Sequence, residues 1–283
     1  MGKHTLFQET VMTTHQFETH QPIHLFAEIG KGSVQVTATG TTETRVEITG
    51  RDAEQVDVHQ SGDQVSIKGP RQRGIFGDNR LDVVVTLPTG SQAVIRTGSA
   101  DITVSGTLSQ SQLKSGSGDV VVDVVDGTLV VETGSGDIRV EEVRAELKAK
   151  SGSGGVLVGH AGATTLVSTG SGDVQLRATR GPAVVKTGSG DVKVGDAGAD
   201  LTLTTGSGDM LVSAAHTGRV TAKAASGDVH VGIPAGVPVW TDISTISGEI
   251  RSNLQGAGQP QDGAPHVEVR AKVVSGDIVL TEI

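Results

Sequence analysis

Residues 119–137 read D-V-V-V-D-V-V-D-G-T-L-V-V-E-T-G-S-G-D, and variants of this unit recur along most of the chain. The aspartate that follows the Gly-Ser-Gly motif returns every 18 residues. The differences 119−101, 137−119, 191−173 and 209−191 are all 18, and 173−137 is twice 18. Gly155 fills the one position of this series that lacks an aspartate. A short fixed period is typical of one structural unit stacked on copies of itself.

Each unit carries the pattern of two short strands. Apolar residues occur at Val120 and Val122, and again at Leu129 and Val131. Period-two alternation rich in Val, Leu and Thr predicts β-strands. Eighteen residues leave no room for a crossover helix, so the chain must coil, with equivalent strands parallel and about 4.8 Å apart. We therefore predict an all-β fold, a single-stranded parallel β-solenoid with 18-residue coils.

The shape of one coil follows from the spacing of its apolar pairs. A left-handed helix of hexapeptides also has 18 residues per coil, but its apolar position would recur every six residues, and Val120 plus six is Asp126. Pairs nine residues apart favour a flattened two-sheet coil, and about ten to thirteen coils would span about 50–60 Å. At the corners we expect four serines to point inward and to pass hydrogen bonds along the stack: Ser135, Ser153, Ser171 and Ser189.

Weaker copies of the unit flank the regular array. Downstream, the motif recurs at Asp228, Glu249 and Asp277, at looser spacings of 19, 21 and 28 residues. Irregular terminal units that block further stacking are common in repeat proteins. We predict an N-terminal extension over 1–21, irregular N-terminal coils or a cap over 22–90, the regular solenoid over 91–232, and C-terminal coils over 233–283 with a loop at 252–266.

Composition limits the classes of partner. The formal charge of 23 − 32 = −9 argues against nucleic acid and against an anionic membrane surface. Aromatic residues make up only 2% of the chain, which leaves little to stack on bases or sugar rings. Cysteine is absent, and no apolar run is long enough to span a membrane. Without a segment resembling a signal peptide, a cytoplasmic location is expected, or the cell surface if a leader is missing.

The repeated aspartates are the strongest candidates for a site. Stacked carboxylates could coordinate Ca²⁺, which favours several oxygen ligands. They could equally cap the turns by accepting hydrogen bonds from backbone N–H groups. Calcium-binding β-rolls use Gly-Gly-x-Gly-x-Asp every nine residues, a pattern this chain lacks. We therefore predict the structural role, with no bound metal or cofactor, for Asp119, Asp137, Asp173, Asp191 and Asp209.

Two other groups of side chains stand near the start of the chain. Histidines can ligate zinc or nickel, but their spacing here matches no ligand set and favours a solvated, partly disordered extension: His4, His15, His20 and His24. The second group is a basic and apolar patch that could dock a partner or fold back over the edge of the stack. It consists of Arg71, Arg73, Ile75 and Phe76, with Arg80 beside them.

Three sequence features together resemble a known family. They are Pro88-Thr89-Gly90-Ser91, the repeated Thr-Gly-Ser-Gly-Asp-Val, and G-V-P-V-W-T-D-I-S-T-I-S-G-E-I over residues 236–250. The combination is similar to the bacterial DUF4097 family of β-strand repeats, whose function is unknown and whose members are often labelled adhesins. The resemblance covers roughly residues 22–283. It implies a β-solenoid with no assigned catalytic residues.

These observations favour a non-enzymatic binding or scaffold protein that presents a repetitive, adhesin-like surface to an unknown protein or cell-surface macromolecule. One alternative is a cytoplasmic scaffold that assembles end to end through uncapped coils. The other is a carbohydrate-active enzyme, since two carboxylates suffice for glycoside hydrolysis. No single pair is distinguished by the repeat, so we predict no catalytic activity.

Overall fold

A computed structural model describes residues 10–70, 80–255 and 266–283. In these ranges the chain forms strands β1 to β27 and one 3₁₀ turn, Ala53–Gln55. No helix among the described residues is long and apolar enough to cross a bilayer. The N-terminal strands are β1 (Val11–Glu18), β2 (His24–Ile29), β3 (Lys31–Thr39), β4 (Glu43–Gly50), β5 (Asp57–Ser61), β6 (Gln64–Lys68) and β7 (Arg80–Pro88).

The middle of the chain alternates strictly between two sheets. Even-numbered strands lie in one sheet and odd-numbered strands in the other, which we call sheet B and sheet A. Sheet B holds β8 (Gln92–Thr97), β10 (Ser111–Ser115), β12 (Leu129–Thr133), β14 (Leu147–Ser151), β16 (Thr165–Thr169), β18 (Ala183–Thr187), β20 (Leu201–Ser207) and β22 (Gly218–Ser226). Sheet A holds β9 (Asp101–Leu108), β11 (Val120–Val125), β13 (Ile138–Val143), β15 (Val156–Ala161), β17 (Val174–Thr179), β19 (Val192–Ala197), β21 (Met210–Ala215) and β23 (Val229–Ile233).

Successive coils pair in parallel and in register, as the period predicts. Val120 is opposite Ile138, which is opposite Val156, and the row continues through Val174 and Val192. These side chains are buried, together with the inward rows of sheet B. The flattened two-sheet coil is therefore confirmed, and its core is a narrow aliphatic layer between the sheets. Alternation places every second side chain in that layer and the others on the outer faces.

The coils at both ends are stacked out of chain order. The coil of β2 and β3 lies between the coil of β6 and β7 and the coil of β8 and β9. The last four strands are β24 (Val239–Ser247), β25 (Ile250–Ser252), β26 (Val267–Ser275) and β27 (Ile278–Glu282). The coil of β26 and β27 occupies the slot between β22–β23 and β24–β25. The outermost coil at each end is thus held in place by a coil from a different part of the chain.

The N-terminal end departs from parallel stacking. Strand β1 pairs antiparallel with β4, which pairs antiparallel with β7, and β5 pairs antiparallel with β6. The prediction of a partly disordered extension is therefore wrong for residues 11–18, which form strand β1. In that stretch Val11, Thr13, His15 and Phe17 alternate with more exposed residues, as a strand with one covered face requires. Antiparallel strands therefore form the N-terminal edge of both sheets.

Candidate functional surfaces

The Gly-Ser-Gly-Asp corner is closed by a buried hydroxyl that comes before the motif. The Thr133 hydroxyl donates to the Gly118 carbonyl of the preceding coil at 3.1 Å and accepts the Gly136 N–H of its own turn, also at 3.1 Å. The same pair of hydrogen bonds recurs at Ser115, Ser151, Thr169 and Thr187. Each hydroxyl therefore joins two coils and satisfies two backbone groups of the corner.

The serines expected to point inward are exposed instead: Ser135, Ser153, Ser171 and Ser189. The inward hydroxyls lie two residues earlier in each coil. The period-two alternation ends at the strand, because the turn places Gly134 and Ser135 outside and Gly136 inside. The corner therefore presents a row of exposed serine side chains to solvent.

The repeated acidic residues form one row at the corner where the strands of sheet A begin. Asp119 Oδ1 accepts the Asp137 N–H at 2.8 Å, and Asp191 Oδ1 accepts the Asp209 N–H at 2.9 Å. The expected bond to a backbone N–H is thus observed, but it reaches the next coil instead of the residue's own turn. We call this the carboxylate row: Asp101, Asp119, Asp137, Asp173, Asp191, Asp209, Asp228, Asp277 and Glu249.

The carboxylate row concentrates negative charge on one corner of the stack. Its nine members are taken from the 32 acidic residues of the chain. Neighbouring carboxylates one coil apart repel by about 1 kcal/mol in water. A charge-assisted hydrogen bond of about 1.5–3 kcal/mol offsets that repulsion.

The row is interrupted at Gly155. The Gly155 N–H still donates to Asp137 Oδ1 at 2.8 Å, but glycine offers no carboxylate to the next coil. Within the described ranges, the Asp173 N–H consequently meets no side-chain acceptor. A shallow concavity of about 280 Å³ opens there, lined in part by Asp137, Gly155, Leu157 and Asp173. A Cβ at Gly155 would make ordinary contacts, 3.4 Å from the Asp173 carbonyl oxygen and 3.7 Å from Asp137 Oδ1.

Substitutions that fill this gap at Gly155 should differ in stability, because they differ in the hydrogen bond that they offer to the Asp173 N–H and in their charge. Gly155→Asn supplies an uncharged acceptor for the Asp173 N–H and should be about 1 kcal/mol more stable than Gly155→Ala. Gly155→Asp also supplies an acceptor, but its charge is repelled by the neighbouring carboxylates of Asp137 and Asp173. Its free energy of unfolding should therefore be lower than that of Gly155→Asn at low salt and approach it in about 1 M NaCl. Urea unfolding of the three variants at both ionic strengths measures the order. Equal stability of Gly155→Asn and Gly155→Ala would contradict the role assigned to the row.

The remaining predicted site residues are not brought together. Within residues 10–70, 80–255 and 266–283, no three His, Asp or Glu side chains are arranged to hold a metal ion. His15 lies on β1 in sheet A, whereas His24 lies on β2 in sheet B, 3.5 Å from Asp63. His4 lies outside the described residues, as does the proposed partner-binding patch of Arg71, Arg73, Ile75 and Phe76.

The outer face of sheet B carries a straight row of basic side chains that sequence reasoning missed. Cross-strand register aligns its members, which we call the basic row: Lys68, Arg96, Lys114, Lys150, Lys186, Lys223 and Lys272. Asp57, Glu28 and Glu132 lie in the same line. The sequence did hold a signal, since lysines at 114, 150 and 186 recur every 36 residues, which is two coils.

Most members of the basic row have no acidic partner. Lys114 binds Glu132 at 2.9 Å, and this hydrogen bond holds the pKa of Glu132 below its usual value. The Lys68 ammonium lies 5.8 Å from the centre of the Phe26 ring. Among the described residues no ion pair forms at Arg96, Lys150, Lys186, Lys223 or Lys272.

An apolar row runs beside the basic row on the same face. Its members lie two residues before the positions aligned with the basic row on β2, β8, β12, β16 and β18: Phe26, Val94, Val130, Leu166 and Val184. Leu166 is 44% exposed. Gln112 and Lys148 occupy intervening positions, and the line continues beyond Val184 through Thr202, Thr221 and Arg270. Sheet B therefore presents parallel lines of positive charge and aliphatic surface.

Comparison with known proteins gives one family and a set of distant structures. The family model described as Toastrack DUF4097 matches residues 24–182 and 163–281. The chain is similar to a "putative adhesin" from Bacteroides fragilis NCTC 9343, at 12% identity and a TM-score of 0.44, over 98% of this chain and 99% of that one. It is also similar to a "putative lipid binding protein" from Parabacteroides distasonis ATCC 8503, at 12% identity and a TM-score of 0.45, over 95% of this chain and 96% of that one. No curated protein matches the chain.

Proposed function

Because the chain belongs to the Toastrack DUF4097 family, we propose that it is a non-catalytic binding or scaffold protein with an adhesin-like role. Its two long sheets present repeated rows of side chains to a macromolecular partner, either a protein or a cell-surface polymer. The observation that carries this proposal is the in-register alignment of outward residues over successive coils.

A repeated surface favours many weak contacts over one deep site. Each coil offers nearly the same backbone and a related side chain at a fixed interval, so a partner with a matching repeat binds several coils at once. Linked contacts of this kind raise the overall affinity well above that of each contact. Catalysis by two carboxylates needs groups in distinct environments, whereas the carboxylate row repeats one hydrogen-bonding arrangement from coil to coil.

Site-specific photo-cross-linking tests the proposal. A photoreactive residue placed at Val121 or Leu211 probes sheet A, and one at Leu166 or Val184 probes sheet B. We expect one macromolecule to be captured from at least two coils of the same sheet, in cytosolic or envelope fractions. Capture at a single position, or at none, would contradict a repeated binding surface. The fraction that yields the partner also tests the expected cytoplasmic location against the cell surface.

A second candidate function, end-to-end assembly, rests on the exposed coil of β24 and β25. Strand β24 is the outermost strand of sheet B, and its backbone edge is unpaired within the described chain. Ile246 is 83% exposed and Ile250 is 47% exposed on this coil. An open strand edge with apolar side chains is a template for pairing with another chain.

Sedimentation velocity over a wide concentration range measures this assembly. We expect association that increases with concentration and is weakened by Ile246→Lys, because a charge is costly in an apolar contact. Leu166→Lys, which adds the same charge in the middle of sheet B, is the control and should leave association unchanged. A monomer at every concentration would exclude this second function.

A further inference from the structure

The basic row has a regular spacing along the solenoid. Lys114, Lys150, Lys186 and Lys223 occupy every second coil, so neighbouring charges lie about 10 Å apart. The intervening positions hold Glu132, Ser168 and Thr204. The whole row, with the acidic residues in line with it, contains seven basic and three acidic residues, a net charge of 7 − 3 = +4.

This positive line exists on a protein with a net charge of −9 because opposite charges lie on opposite sides of the corner. Lys186 precedes Asp191 by five residues, and the turn with its exposed Gly188 and Ser189 separates the two side chains. At physiological ionic strength charges are screened beyond about 8 Å. A ligand in contact with sheet B therefore experiences mainly the basic row.

We infer that sheet B binds a linear acidic polysaccharide laid along the solenoid axis, which specifies the partner class of the proposed function and rests on it. In an extended glycan with one acidic sugar per disaccharide, a carboxylate recurs once per two sugar rings. Such a repeat matches cations on every second coil. From Val94 to Val184 the aliphatic members of the apolar row pack against the C–H faces of the rings, so affinity comes from charge and aliphatic contact instead of aromatic stacking.

The spacing and flatness of the face disfavour other polyanions. An extended acidic peptide places same-side carboxylates only about 7 Å apart. Single-stranded nucleic acid needs aromatic platforms, and this face has Phe26 on β2 and Trp240 on β24, near opposite ends of the sheet. The phosphates of a duplex follow a helical path that a straight row meets only at intervals. A flat anionic bilayer that contacts sheet B would also come close to the carboxylate row at the same corner, and like charges repel.

Direct binding of the full chain to defined polymers tests this inference. The probes are hyaluronate, with one carboxylate per disaccharide, and neutral dextran of similar length. We expect hyaluronate to bind, dextran not to bind, and the hyaluronate affinity to fall steeply as NaCl rises. The variant Lys150→Glu/Lys186→Glu/Lys223→Glu should bind at least tenfold more weakly.

A matched control places the same charge change on sheet A. Lys31→Glu/Arg139→Glu/Lys193→Glu alters three exposed residues that form no ion pair in the described chain, and its affinity should stay within twofold of the parent. Circular dichroism checks that both variants fold. If the glutamate variant does not, Lys150→Gln/Lys186→Gln/Lys223→Gln replaces it, with at least a fivefold loss expected.

Three results would overturn the inference. The first is equal binding of hyaluronate and dextran, or of neither. The second is an equal loss of affinity in the sheet A control. The third is tighter binding of polyphosphate, oligo(dT) or phosphatidylserine vesicles than of hyaluronate, which would assign the face to a different polyanion. If no polymer binds while cross-linking still captures a partner along one sheet, the polysaccharide assignment fails and the proposed function stands.

Discussion

Replacing Gly136 by alanine is expected to lower the free energy of unfolding by about 3 kcal/mol or more. A Cβ at this position would overlap the carbonyl group of Gly118 in the preceding coil and lie 2.9 Å from the Asp119 nitrogen. Both neighbours are backbone atoms in a stacked corner, so neither can move without displacing a coil. Urea unfolding measures the loss.

Gly40→Ala is the matched control for this prediction. A Cβ at Gly40 has no neighbour within 4 Å, so the same substitution should be neutral or stabilising by up to about 1 kcal/mol. If Gly136→Ala and Gly40→Ala differ by less than about 1 kcal/mol, the corners are not packed as closely as the fold requires.

Removing the hydroxyl of Thr133 should have the second largest effect, a loss of about 2–3 kcal/mol of unfolding free energy. Thr133→Val keeps the shape but leaves the Gly118 carbonyl and the Gly136 N–H without their partner in a buried corner. Each buried group that loses its hydrogen bond costs about 1–3 kcal/mol, and the added apolar contact offsets part of this cost.

Thr133→Ser separates the hydroxyl from the methyl group. Serine occupies the equivalent position at Ser115 and Ser151 and makes the same two hydrogen bonds there. Thr133→Ser should therefore lower the free energy of unfolding by only about 1 kcal/mol. If serine and valine destabilise equally under chemical denaturation, the hydroxyl is not the group that joins the coils.

The repeat predicted the middle of the molecule well, because one local pattern determines both strand and register. Val120, Ile138 and Val156 recur at the same position of each coil and stack in one buried row. The corner was predicted less accurately. Extending the strand alternation through the turn assigned the inward hydroxyl to Ser135, although Thr133 holds that position.

The order of coils at the ends could not be read from local pattern. Residues 267–282 lie between two coils that come earlier in the chain, and nothing in their alternation states which neighbours they join. The strand at residues 11–18 was missed because its alternating residues include Thr13 and His15, which are only weakly apolar.

The distribution of charge likewise depends on register. Net charge argued against anionic partners as a class, yet the fold separates the carboxylate row from the basic row on either side of one corner. A 36-residue lysine period becomes meaningful only after the 18-residue coil is known, since it then describes one line on one sheet.

The coils stack in register, in the order in which the strands of each sheet are paired. Because the chain has no cysteine, spin labels can be attached at two introduced cysteines, with Ser117→Cys as the fixed position. The second label is placed by the same substitution at one of five serines in successive coils: Ser189, Ser207, Ser226, Ser275 or Ser247. Pulsed electron paramagnetic resonance should give distances that increase in that order by about 5 Å for each coil. A distance to position 247 shorter than that to position 275, or distances unrelated to coil number, would contradict the account.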